Sequence, residues 1–270
     1  MEFTGTTTAV LAVFFIAMLI KSIFGFGDAL LAMPLLTLAV GIRTATPLFA
    51  LVGTTITLVI LSLRWRHVVL KSAWRLILSS IFGIPLGLYF LKGSFETAVN
   101  LVLALVIILF SAFNLTRPNL PRLNSERYAV VFGFISGILG GAYNTSGPPV
   151  IIYSALRRWR PESILATLQG YFFPLGIFIL IGHALTGLWT STVVEYYVIC
   201  LPVSLAALAV GSRLNRAIPQ GRFEKYIFVL LLFIGFFLLM QTLLTQTASA
   251  QSFSDAIVRN HCSRFFAFSA

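Results

Sequence analysis

The sequence predicts an all-α, polytopic membrane protein, and three observations predict it. Of 270 residues, 58% are hydrophobic and 10% charged, with a mean hydropathy of +0.95, whereas a water-soluble domain carries roughly 25% charged residues. Apolar runs recur along almost the whole chain, at lengths suited to helices that cross or dip into hydrocarbon. Lys and Arg gather in the short connections between particular runs, which is how cytoplasmic loops are marked. Nucleic-acid binding is set aside despite the net charge of +11, because topology accounts for the basic excess.

In order, the apolar runs cover 8–24, 28–41, 44–63, 74–91 and 95–115, then 128–141, 147–156, 162–182, 192–212 and 223–245. A helix rising about 1.5 Å per residue needs about 20 residues to cross hydrocarbon. The runs at 44–63, 74–91, 95–115, 162–182, 192–212 and 223–245 are therefore expected to span. The other four are short and form two pairs. Gly25 and Gly27 join the first pair; Gly140, Gly141 and Gly147 join the second. Each pair is expected to be a broken or re-entrant hairpin. Met1 to Thr8 holds Glu2 and no Lys or Arg, unlike the basic start of a signal peptide, so the first run is expected to be retained. Cys200 and Cys262 make neither a disulfide framework nor a zinc site.

Charge tests the hairpin reading. If each hairpin enters and leaves on one side, the clusters Arg64 to Arg75, Arg117 to Arg127, Arg157 to Arg160 and Arg213 to Lys225 all face the cytoplasm. Only Arg43 and Lys92 fall in outer connections. Both termini are then extracytoplasmic, with Arg259 and Arg264 in an external tail. The halves become inverted repeats, 1–120 and 121–246, each a hairpin followed by three spanning helices, and 247–270 is accessory or disordered. Pro34 aligns with Pro149 and Gly25 with Gly140 at one offset, and Pro85 corresponds to Pro202 at a slightly larger one.

Inverted repeats with discontinuous helices are the architecture of secondary transporters, whose sites lie at the repeat interface near mid-bilayer. The candidate site is therefore Gly25, Phe26, Gly27 and Asp28 at one break, with Gly140, Gly141, Asn144, Thr145, Ser146, Gly147 and Pro148 at the other. Glycine permits positive φ and close backbone approach. Asn144 to Ser146 are side-chain types favoured at helix N-caps, just ahead of a proline-started helix. Helix N-termini offer free amides and positive dipole to a small anion. The alternative is a packed glycine kink without ligand.

Asp28 is a candidate coupling group, because ionisable residues at membrane depth mark pathways and proton relays; its alternative is a cap on the following helix. Lys21 stands seven residues earlier. That is about 10.5 Å along an unbroken helix, so only the break could bring the two together. Otherwise the Lys21 stem snorkels to an interface. Gln169 with Tyr171, and Thr54, Thr55 and Thr57, either line the cavity or bond between helices. His183 and Glu195 are expected near the outer surface, solvated.

The run "GFISGILGGAYNTSGPPVIIY", Gly133 to Tyr153, followed by "LRRWRPESILATLQGYFFP", Leu156 to Pro174, resembles the second-half signature of the sulfite exporter TauE/SafE family of membrane permeases. "KSIFGFGDALLAMPLL", Lys21 to Leu36, resembles its first-half counterpart. The resemblance covers residues 8 to 245 and implies a two-halved permease for sulfite, sulfonates, sulfoacetate or other small anions. The chain departs from the glycine-rich members at Phe26, Asp28 and Tyr143.

The expected function is thus alternating-access transport of a small anion across the cytoplasmic membrane, coupled to a proton or sodium ion. The partners are that anion and the lipid bilayer; neither cofactor nor metal is called for, and no oligomeric state follows. A passive anion channel is the alternative. An intramembrane enzyme lacks its equipment, since no His pair, serine–histidine constellation or paired carboxylates stand out.

Overall fold

The computed structural model describes residues 5–68, 70–92, 96–116, 123, 125–159, 161–214 and 228–244. The tail from 247 to 270, with Cys262, Arg259 and Arg264, lies outside them, as do Arg117, Arg122, Arg216, Arg222 and Lys225. The described residues form helices without strands. These are α1 (Gly5–Phe24), α2 (Asp28–Val40), α3 (Ile42–Arg64), α4 (Leu70–Lys92), α5 (Glu96–Thr116), α6 (Tyr128–Tyr143), α7 (Gly147–Leu156), α8 (Pro161–Leu185), α9 (Ser191–Leu214) and α10 (Phe228–Leu244). A 3-10 turn, Trp65–His67, follows α3.

Both surfaces of the bundle are apolar, as a lipid-facing protein requires. Phe82, Leu109, Leu185 and Phe233 stand outward and largely exposed, while Val10, Phe14, Met18, Leu48 and Ile107 are fully buried. Among the described residues five helices, α1, α3, α4, α8 and α9, are long and apolar enough to cross a membrane, while the runs expected to span at 95–115 and 223–245 are present there as the shorter apolar stretches Asn100–Thr116 and Phe228–Leu244. One of them is α1, which begins at Gly5 and runs 20 residues, longer than the arm expected from 8 to 24. Its first turn is Gly5 to Thr8, polar and largely exposed, so the buried length from Val10 onward resembles that of α6.

Helices pair in matching fashion. Of all the helices, α4 packs most closely on α6, and α1 packs on α9; α8 meets α4 as α3 meets α9, and α3 crosses α8. Pro85 and Pro202 occupy the interiors of α4 and α9. The α4–α6 seam is set by small residues. A Cβ on Gly83 would strike the Phe134 carbonyl, one on Gly87 that of Ile138, one on Gly137 that of Ser80 and one on Gly141 that of Ile84. Small residues let helix backbones approach in this way where lipid offers no hydrophobic drive between helices. Ser80 Oγ adds a 2.7 Å bond to the Gly133 carbonyl. In the α1–α9 pair, Ser22 Oγ donates to the Leu208 carbonyl at 2.9 Å and Gly211 lies against Ser22.

Both ends of the second hairpin lie together. The amide of Leu123, just ahead of α6, donates to the carbonyl of Leu156 at the end of α7, 3.0 Å away. Glu126 bridges Arg75 at the start of α4 (2.6 Å) and Arg157 after α7 (3.6 Å). Arg66 and Arg75 lie over the rings of Trp65 and Trp74 at the same end. This basic and tryptophan-bearing end has the character of a headgroup interface.

Candidate functional site

The two breaks face one cavity. After α1 the chain turns through Gly25 (φ 79°) and Gly27 (φ 90°) before α2 begins at Asp28. This left-handed backbone suits glycine, which has no Cβ to clash. After α6 the turn passes through Asn144, also left-handed at φ 57°, one of the few other residue types that tolerate it. The Asn144 amide nitrogen Nδ2 donates to the Thr46 carbonyl of α3 at 2.8 Å, which fixes the second break against the first half of the chain.

The cavity holds about 60 Å³, room for roughly four waters or an anion of four or five heavy atoms. Lys21 and the stretch from Phe26 to Leu30 line it together with Asn144 to Pro148. Phe49, Gly53, Thr54 and Thr57 of α3 and Phe172 and Gly176 of α8 complete it. These positions lie at mid-length of both long helices, the depth at which a site reached from either face belongs.

Lys21 and Asp28 dominate the electrostatics. Lys21 Nζ lies 2.7 Å from Asp28 Oδ2, and both side chains are more than nine-tenths buried. The six intervening positions, 22 to 27, are folded back by the glycine turn, so the break makes this contact. Neither snorkelling nor capping describes the pair. Gly27 holds the N-cap position of α2 without a side-chain cap bond, and Lys21 Nζ rests 5.9 Å from the centre of the Phe172 ring. Asp28 also sits in the first turn of α2, where the helix dipole favours negative charge.

The helix N-termini differ in what they offer. The first amides of a helix have no carbonyl partner within it; in α2 the first-turn residues Asp28, Ala29 and Leu30 are among those that line the cavity. In α7 the residues after Gly147 are Pro148 and Pro149, which carry no N–H, so donors there are fewer. Ser146 makes no side-chain cap bond to α7. Its carbonyl instead accepts from Ser136 Oγ. Ser136 in turn meets the Tyr171 hydroxyl at 2.7 Å, and Tyr171 meets Ser80 Oγ at 2.6 Å. This buried hydroxyl chain pins the second break to α4, α6 and α8.

Of the residues singled out in the sequence, Phe26, Gly27, Asp28, Asn144, Thr145, Ser146, Gly147 and Pro148 line the cavity. Gly25, Gly140, Gly141 and Gln169 stand behind it. Gly25 shapes the turn, Gly140 lies near Ser146 and Ile179, and Gly141 seals the α4–α6 seam. Gln169 Nε2 donates to the Gly25 carbonyl at 2.7 Å, while its Oε1 is buried without a partner. Thr54 and Thr57 reach the cavity; Thr55 bonds Tyr197 at 3.0 Å instead. Glu195 is exposed, as expected. His183 is not solvated: it is wholly buried, and neither ring nitrogen meets a hydrogen-bond partner among the described residues. Phe49, Phe172 and Gly176 are lining residues that the sequence did not single out. On α8 the apolar residues are spread almost evenly around the axis, so no periodic signal marks the side that carries Phe172 and Gly176; on α3 the polar signal comes from Thr54 and Thr57, and Phe49 lies apart from them in the sequence.

No curated protein and no solved structure matches the chain. The family model described as sulfite exporter TauE/SafE matches residues 10–238. That stretch contains both breaks, all the cavity walls and both helix seams, and the chain belongs to the sulfite exporter TauE/SafE family.

Proposed function

We propose that this membrane transporter moves a small anion, such as sulfite, a sulfonate or a related organic anion, across the cytoplasmic membrane by alternating access. The halves 1–120 and 121–246 act as inverted repeats, with both termini extracytoplasmic and a proton or sodium ion coupled. One observation carries the reading. Two helix breaks far apart in the chain line one cavity at mid-length of α3 and α8, and among the described residues one basic side chain, Lys21, lines it with them. Irregular backbone at such depth persists where it lines a cavity or is buried in protein. The matched pairing of α1 with α9 and α6 with α4 supports the duplication, and the union of both ends of the second hairpin supports a re-entrant path. The small volume favours compact anions over nucleotides or lipids.

The test is uptake into proteoliposomes with radiolabelled sulfite, sulfonates and carboxylates, with and without a pH gradient. Saturable uptake with counterflow of at least one small anion is expected. Uptake proportional to concentration without counterflow would identify a passive channel instead, and no uptake across the panel would remove the anion reading.

A further inference from the structure

We propose that Lys21 is the anion's charge partner and that Asp28 is its resident counter-ion, released by a proton, so that one proton travels with each monovalent anion. This rests on the transport reading above and assigns the coupling to two atoms of the same cavity.

The argument begins with charge. Lys21 and Asp28 are the ionisable groups among the cavity's lining residues, and their 2.7 Å ion pair leaves the empty site neutral. An anion entering a neutral, buried cavity loses hydration with nothing of opposite sign free to replace it. Its available cation is already engaged by Asp28. The Asp28 carboxylate also occupies the first turn of α2, where the amides and dipole favour an anion. It is in effect a tethered anion in the ligand's seat. Two anions beside one ammonium would repel. A proton on the Asp28 carboxylate removes that repulsion and takes none of the 60 Å³.

The balance is simple. A proton joins Asp28 Oδ2, the ion pair opens, and Lys21 keeps its own proton and charge while the anion takes the vacated position. The occupied site holds one ammonium, one neutral carboxyl and one anion. It is neutral, as the empty site is. Both forms can therefore cross the transport cycle without moving net charge.

Other titratable groups on the surrounding helices do not line the cavity. Tyr143 of α6, Tyr153 of α7, Tyr171 and His183 of α8, and Tyr196, Tyr197 and Cys200 of α9 are not among its lining residues. Arg43 and Glu195 are exposed near the starts of α3 and α9. On α5, Phe110 meets Phe26 ring to ring. The pH dependence of binding is thus assigned to the Lys21–Asp28 pair.

Purified full-length protein in liposomes tests this with radiolabelled methanesulfonate, whose charge is constant over the working pH range, and with sulfite. Counterflow at equal pH reports binding and translocation. Accumulation under an imposed pH gradient reports coupling. An imposed potassium diffusion potential reports net charge movement. The unaltered protein is expected to accumulate methanesulfonate with the gradient and to ignore the potential. Asp28→Asn removes the competitor and the proton site, so its half-saturation concentration for counterflow should fall about tenfold, as expected when a competing closed state is removed. It should lose gradient-driven accumulation and become sensitive to the potential. Lys21→Gln and the double variant Lys21→Gln with Asp28→Asn should lose counterflow; the double variant leaves no unpaired buried charge and so guards against misfolding. Gradient-driven accumulation by Asp28→Asn, or counterflow by the folded double variant, overturns the proposal. If Asp28→Asn does not fold, Asp28→Glu must keep coupling with a shifted pH profile, and an unshifted profile overturns it equally. Absence of counterflow of either anion by the unaltered protein is a different failure, that of the transport reading.

Discussion

Gln169 on α8 donates its side-chain amide to the carbonyl of Gly25, 2.7 Å away and 144 positions earlier in the chain. The bond fastens the first break to a long helix from much later in the chain. Gln169→Leu should leave the Gly25 carbonyl unpaired at a cost of about 1 to 3 kcal/mol. Because the Lys21–Asp28 pair depends on that turn, anion counterflow should fall roughly tenfold while the protein still elutes as a folded species on size-exclusion chromatography. Unaltered counterflow would mean that the turn holds its shape without Gln169.

The α4–α6 seam makes a sharper prediction about stability. At Gly137 an added methyl would run into the Ser80 backbone, which cannot rotate away as a side chain can. Gly137→Ala should cost at least about 1 to 3 kcal/mol, the usual penalty of overpacking, and the protein should fail to accumulate in membranes. Gly5→Ala is the control, since nothing lies within 4 Å of its Cβ. Equal membrane yield of the two variants would show that α4 and α6 separate more easily than their spacing implies.

His183 predicts the opposite sign. Its ring is wholly buried with both nitrogens unpartnered, and an unsatisfied buried polar group costs about 1 to 3 kcal/mol. His183→Leu should therefore raise the thermal midpoint in detergent. If the variant instead unfolds earlier, the imidazole has a partner that packing requires.

Sidedness is testable with cysteines at exposed positions. Ile42 is buried and would label poorly, whereas Arg43 and Arg158 are exposed. In a background lacking Cys200 and Cys262, Arg43→Cys should react with an impermeant reagent added outside intact cells. Arg158→Cys should react only after the membrane is opened, as the distribution of basic residues requires. The reverse pattern would overturn the inverted arrangement of the halves.

Much of the fold could be read from the chain. The breaks announce themselves because Gly25 with Gly27, and Asn144 with Gly147 and Pro148, are residues that a continuous helix does not need. The Lys21–Asp28 contact is left open by the sequence: a break permits it and a straight helix forbids it, but a snorkelling Lys21 and a capping Asp28 fit the spacing as well. What stayed hidden depends on rotation about helix axes. Gly140 and Gly141 read like ligand-facing glycines, yet Gly141 faces α4. His183 reads like a residue at a wetted helix end, yet α8 carries it inward. The Ser80–Tyr171–Ser136 chain joins three helices whose apolar faces give no hint of which serine turns toward which tyrosine. Position in sequence sets depth, and only tertiary packing sets direction.

The seams also decide what can be taken apart. Because α6 is welded to α4 and α1 to α9, each tight helix pair borrows one member from either side of the connection between Thr116 and Tyr128. A gene cut at that connection would give two fragments, each displaying an unfilled strip of glycine or serine to lipid. Neither could close its own interior, though the two made together could reassemble.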